Sequence, residues 1–231
     1  MKRKAVVWMV VLSVFLLTFA GVGYWQRNNL TAIYYAVKYD KEQQQEQVQK
    51  ADQKIQELSR QYADIDFSKL PEEATKMLVE GTISQEVAVA VLKGAVSWEE
   101  VKENPEAVTE QLKNKQQADT TPENSQAVED IIARIYVLRS SYVGRLEGLV
   151  PVAWKEYISK KGTKSEIIAK YLAIGSSLEA ECDGEMEALL AQLETELRRT
   201  GGDLSLVSEI RGTYQREKSL KKAEMIQKYQ N

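Results

Sequence analysis

The densest group of potentially reactive side chains is the acidic series Glu179, Glu181, Asp183, Glu185 and Glu187, which surrounds Cys182 and Gly184. Carboxylates at this density could bind calcium or act as a general acid and base. A calcium loop needs oxygen ligands on a turn closed by a terminal glutamate, whereas these residues fall within a helical pattern. A structural role accounts for them. If the helix bearing them forms an antiparallel hairpin with the next one about Gly201 and Gly202, Glu181 faces Lys222, Glu185 faces Lys218 and Glu187 faces Arg216. Exposed pairs of this kind contribute only ~0–1 kcal/mol each, so they would orient the helices while apolar residues hold them.

The chain has no histidine and a single cysteine, Cys182. Ser-His-Asp and Cys-His catalysis, histidine-ligated zinc and an intrachain disulfide are therefore excluded. Carboxylate-pair and serine-lysine chemistry remain open in principle, but no local motif signals either. Cys182 lies on an apolar helical stripe, as a small buried core residue does. No catalytic, cofactor-binding or metal-ligating residue is assigned, no cofactor is expected, and the reading is that of a non-enzyme.

Tyr136, Tyr142, Trp154, Tyr157 and Tyr171 could line a groove for a peptide or glycan. Several recur on apolar stripes, which makes core packing the simpler expectation. The break expected at Gly148–Pro151 is the first place to look for a ligand surface.

Helices must position all of these residues. Four prolines, twelve glycines and the lack of sustained period-two alternation argue against sheets and for an all-α chain. In the C-terminal half, Val128, Ile131, Ile135, Leu138, Tyr142, Leu146 and Leu149 form the stripe of a first helix, interrupted by Gly148 and Pro151. Thr163 and Glu166 make a capping box for a second helix with Ile168, Tyr171, Leu178, Cys182, Met186, Leu189, Leu193 and Leu197 on one face, ending at Gly201. Asp203 caps a third, in which Gly212 is a weak point. Residues 127–231 thus read as a three-helix antiparallel bundle.

Before it, 115–126 form a polar linker and 67–114 a module of short helices, punctuated by Gly81, Gly94, a Ser97/Glu100 capping box and Asn104-Pro105. The stretch from Ile83 to Val101 resembles a DNA-binding helix-turn-helix only superficially. Ala88 and Gly94 are too far apart, and Glu99, Glu100 and Glu103 would face phosphate. No nucleic-acid partner is expected.

Residues 26–66 read as a helical or coiled-coil stalk. Val48, Ala51, Ile55, Leu58, Tyr62 and Ile65 follow heptad steps, with Lys41 and Gln44 on the same seam upstream. A homodimer through this seam and an intramolecular bundle contact are both consistent with it.

The stalk follows Ala5 to Trp25, a run without a charged residue behind Lys2, Arg3 and Lys4. At 1.5 Å per residue it would reach about 31 Å, enough for one transmembrane helix, with Trp8, Tyr24 and Trp25 at the headgroup zones. The cations place the N-terminus in the cytoplasm, so residues 1–25 read as leader and anchor and the bulk of the chain as extracytoplasmic, at the plasma membrane. A signal peptide cleaved after Ala20 is the alternative, and would release a secreted ligand-binding bundle. Without Lys2, Arg3 and Lys4, 28 basic residues stand against 34 acidic ones, a formal charge of −6, so anionic surfaces are not the expected partner, although a local basic patch is compatible with that total. The expectation is a single-pass, non-catalytic interaction or spacer module of the cell envelope with an unidentified protein partner. A carboxylate-dependent envelope enzyme, or a regulator of one, is the competing class.

Overall fold

The computed structural model describes residues 31–32, 34–60, 65, 70–118 and 124–230, and every regular element among them is an α-helix. The apolar run Ala5–Trp25 lies outside the described residues. Among those described, no helix is long and apolar enough to cross a membrane. The chain divides into two compact units, one containing residues up to Glu57 together with those from Ser208 onward, the other Leu58–Val207.

In the first unit, helix α1 spans Lys41–Arg60. An uninterrupted stalk is not what forms. The helical residues 34–38 stop at Tyr39, and Asp40 starts α1 by accepting the Gln43 backbone N–H at 2.8 Å while donating its own to Gln43 Oε1 at 3.2 Å. That reciprocal pair satisfies donors that a helix start leaves open. Gln44, with 0% of its surface exposed, turns its Nε2 onto the carbonyls of Tyr35 and Tyr39, at 3.2 and 3.4 Å. The polar residue on the seam therefore joins two helical pieces. Of the seam itself, Ala51, Ile55 and Ile65 are buried. Leu58 and Tyr62 lie outside what is described of side chains. Helix α8, Ser205–Gln230, runs continuously through Gly212, and its Arg216 donates to Gln47 Oε1 of α1 at 2.7 Å.

The second unit holds α2 (Glu72–Val79), α3 (Gln85–Leu92), α4 (Trp98–Glu103), α5 (Pro105–Ala118), α6 (Asn124–Ile158) and α7 (Lys164–Thr200). Its punctuation follows local chemistry. Ser84 caps α3, Ser97 and Glu100 form a capping box on α4, and Asn104 Oδ1 accepts the Ala107 N–H before α5 starts at Pro105. Gly81, Gly94 and Gly201 adopt positive φ, the conformation glycine reaches without steric cost. The polar stretch at 115–126 is shorter than its composition predicts: α5 continues to Ala118 and α6 already begins at Asn124. Once nucleated, a helix propagates through polar residues at little cost.

Helix α6 is not broken at Gly148 and Pro151. It passes through both, although Pro151 can donate no backbone hydrogen bond. Its most extensive partner is α7, which lies along it on both sides of the proline, so tertiary packing outweighs the local penalty. The Thr163/Glu166 capping box opens α7 and a left-handed Gly201 closes it, with the Gly202 N–H returning to the Leu197 carbonyl. Beyond it, Asp203 accepts at 2.9 Å the N–H of Ser205, the first residue of α8.

The buried stripe of α6 comprises Val128, Ile131, Ile135, Leu138, Tyr142 and Leu146, with Leu149 only half-buried. On α7 it comprises Leu178, Cys182, Met186, Leu190, Leu193 and Leu197; Leu190, rather than Leu189, points inward. A second face of α6, with Ala133, Val137 and Ser141 buried, continues to Gly144. It receives α2 and α3. Small residues there let helices approach: a Cβ added at Gly144 would sit 3.0 Å from Val79 Cγ2 and 3.4 Å from Thr75 Cγ2.

Candidate functional site

The α6–α7 pair carries every residue singled out for possible chemistry, so its seam and its two ends are where a site would be built. Near mid-seam, buried Tyr142 of α6 lies in the field of Glu179, Cys182 and Asp183 of α7. Burial is the main reason its phenol ionises only with great difficulty, and the neighbouring negative charges add to that. Its hydroxyl has no hydrogen-bond partner among the described residues. Cys182 is buried and forms no disulfide.

A buried hydroxyl without a partner loses its hydration and gains nothing in return. Tyr142→Phe should therefore leave stability unchanged or raise it by up to ~1 kcal/mol in urea unfolding. A loss beyond that would reveal a hydrogen bond from this hydroxyl.

The acidic series does not converge. Glu181 is held by α6, with Arg145 Nη1 and Nη2 on its two oxygens at 2.8 and 3.3 Å. Glu181 is thereby engaged within its own unit, whereas Lys222, Lys218 and Arg216, the partners expected from the sequence, belong to the other. Glu185 contributes to the field at Arg145, one turn further along α7 from Glu181. The cause is register. Because α7 turns Leu178, Cys182 and Met186 inward, Glu181 comes to the edge of the α6–α7 seam, within reach of Arg145. Among the described residues no group of three or more cysteine or acidic side chains is placed to hold a metal ion.

The hydrogen bonds from Arg145, then its charge, hold the Glu181 carboxyl below the usual range. A depressed folded-state pKa stabilises above the unfolded value, and that contribution disappears as pH falls through the folded value. Glu181→Gln should accordingly show a smaller fall in Tm between neutral and acidic pH than the parent chain. Parallel curves would remove the pair from the acid response.

At the other end, α6 and α7 border an open trough lined by Asp130, Ile131 and Arg134 on one side and Gln192, Thr195 and Glu196 on the other. Its carboxylates are already engaged, Asp130 by Lys93 at the end of α3 and Glu196 by Arg199 at 2.6 Å.

The aromatic residues separate into two groups. Tyr142 is in the core, and Tyr136 and Tyr171 are half-buried. Trp154 and Tyr157 are neither core nor half-buried, at 58% and 42% exposed near the end of α6, with ring centroids 5.7 Å apart. Their neighbours Val152 and Ile158 are exposed as well. The sequence signal was the interleaving of aromatic residues with Lys155, Lys160 and Lys161, which does not suit a core.

No family model, curated protein or solved structure matches the chain, so what these residues do has to be read from their own geometry.

Proposed function

We propose that the chain is a single-pass membrane protein whose extracytoplasmic helices act as a non-catalytic interaction or spacer module of the cell envelope. The observation that supports it best is the α6–α7 pair, two packed helices of 35 and 37 residues. At 1.5 Å per residue each is about 52–55 Å long, well beyond the ~11–12 residues of an average globular helix. Two such helices zipped along an apolar seam resist bending and present side chains far from one another. That suits spacing and presentation better than enclosing a substrate. The anchor in this reading is the uncharged run Ala5–Trp25 behind its three cations.

The test is fractionation with protease shaving of cells expressing the full chain with a C-terminal tag. Carbonate-resistant membrane retention with an outside, protease-sensitive tag is the expected result, and cross-linking would then identify the envelope partner. A shortened chain in the medium would favour the secreted bundle. A membrane-bound but protected tag would reverse the topology.

A further inference from the structure

We propose that the α6–α7 hairpin tip, from Val152 to Ile174, is a docking surface for an anionic lipid bilayer. This contact is separate from the N-terminal anchor and does not depend on it. Most of the large apolar side chains that stand exposed among the described residues belong to this one stretch: Val152, Trp154, Tyr157, Ile158 and Ile174. Trp154 and Ile158, at 58% and 60%, are further out than a half-buried helix face requires. An indole and a phenol beside aliphatic side chains are the groups that partition into the headgroup zone of a bilayer.

Charge selects the kind of surface. The stretch carries Lys155, Lys160, Lys161, Lys164 and Lys170 against Glu156 and Glu166, a formal +3, whereas the rest of the chain sums to −6 within the total of −3. The two glutamates are both occupied. Glu156 accepts from Lys170 at 2.7 Å, and Glu166 is bound to Thr163 in the capping box that opens α7. Lys155, Lys160 and Lys161 stay exposed, the last two on the turn that joins the helices, where Lys160 has a φ of 52°. Aromatic residues interleaved with lysines at the end of a helical hairpin match a surface that is apolar beneath and negative at its face.

A second copy of the chain fits less well. Two tips would bring +3 against +3. The acidic remainder has few exposed large apolar residues among those described, Tyr34, Val37 and Leu204, to cover Trp154 and Ile158.

The test holds the full chain in phosphatidylcholine nanodiscs and measures its co-sedimentation with sucrose-loaded vesicles of phosphatidylcholine alone or with added phosphatidylglycerol. Capture by the anionic vesicles alone, weakened by salt, is expected. Lys155→Glu, Lys160→Glu and Lys161→Glu together should lower it on the order of a hundredfold or more, and Trp154→Ser with Ile158→Ser should also reduce it. The salt titration uses the unaltered chain, so the answer does not depend on how the variants fold. Equal capture by both vesicle types, or undiminished capture of the lysine variant, would overturn the proposal. So would association of the nanodiscs without vesicles, which identifies a second copy as the occupant. A chain that fails to enter nanodiscs counts against the anchor alone, and the same vesicles then test the tip on the free chain.

Discussion

Replacing Leu193 by alanine is expected to cost about 2–5 kcal/mol of stability. Leu193 is fully buried on α7, in the stripe with Met186, Leu190 and Leu197. Across the seam lies α6, whose Ile131 borders the same trough as Gln192. Two long helices packed along one seam cannot close a gap locally without shifting several turns, so most of the lost volume would remain as a cavity. Urea unfolding measures the loss. The comparison that fixes the register is Leu190→Ala against Leu189→Ala, where the fully buried residue should cost clearly more than its half-buried neighbour. Equal losses would place the seam one residue away.

That one-residue difference shows where sequence reading succeeds and where it drifts. Features held by a few neighbouring residues were legible: the Ser97/Glu100 and Thr163/Glu166 boxes and the Gly201 terminus are local hydrogen-bond problems with local solutions. The stripe of α6 from Val128 to Leu146 was legible too, since large apolar residues mark it. Over the 37 residues of α7 a stripe of fixed integer steps drifts, because 3.6 residues per turn matches no integer spacing, and it reaches Leu189 where Leu190 faces inward.

Other misreadings have different causes. The Asp40/Gln43 box is present in the sequence, but the glutamines around it obscure the helix start at Asp40. Pro151 reads as a break because the penalty lies in its own backbone, whereas the helix packed beside it has no local signal. Hairpin symmetry suggests partners for the acidic series on the following helix, whereas Arg145, the partner of Glu181, comes from the helix before it and has no local signal. At the hairpin tip the aromatic residues lie off the apolar stripes on which the others recur, and the lysines between them carry the more decisive signal.

Least legible of all is the second face of α6, because Ala133, Ser141 and Gly144 carry little hydrophobic signal beside Val137. Their function is to leave room. Gly144→Leu is therefore expected to lower stability by about 1–3 kcal/mol, as overpacking against a neighbouring helix does. Alanine is the informative control. Its Cβ would lie 3.0 Å from Val79 Cγ2, a tight contact, but it also removes the conformational cost of a mid-helix glycine, so Gly144→Ala should be close to neutral. Leucine adds atoms beyond that Cβ, where α2 already stands, and would push α2 away from α6. Hydrogen exchange in the leucine variant should then quicken over Glu72–Val79 while the mid-seam amides of α7 keep their protection. Adding Val79→Ala should restore part of the loss, a coupling expected only of residues in contact. If the leucine variant leaves exchange in α2 untouched, α2 does not dock on this face of α6, and the small residues along it need another explanation.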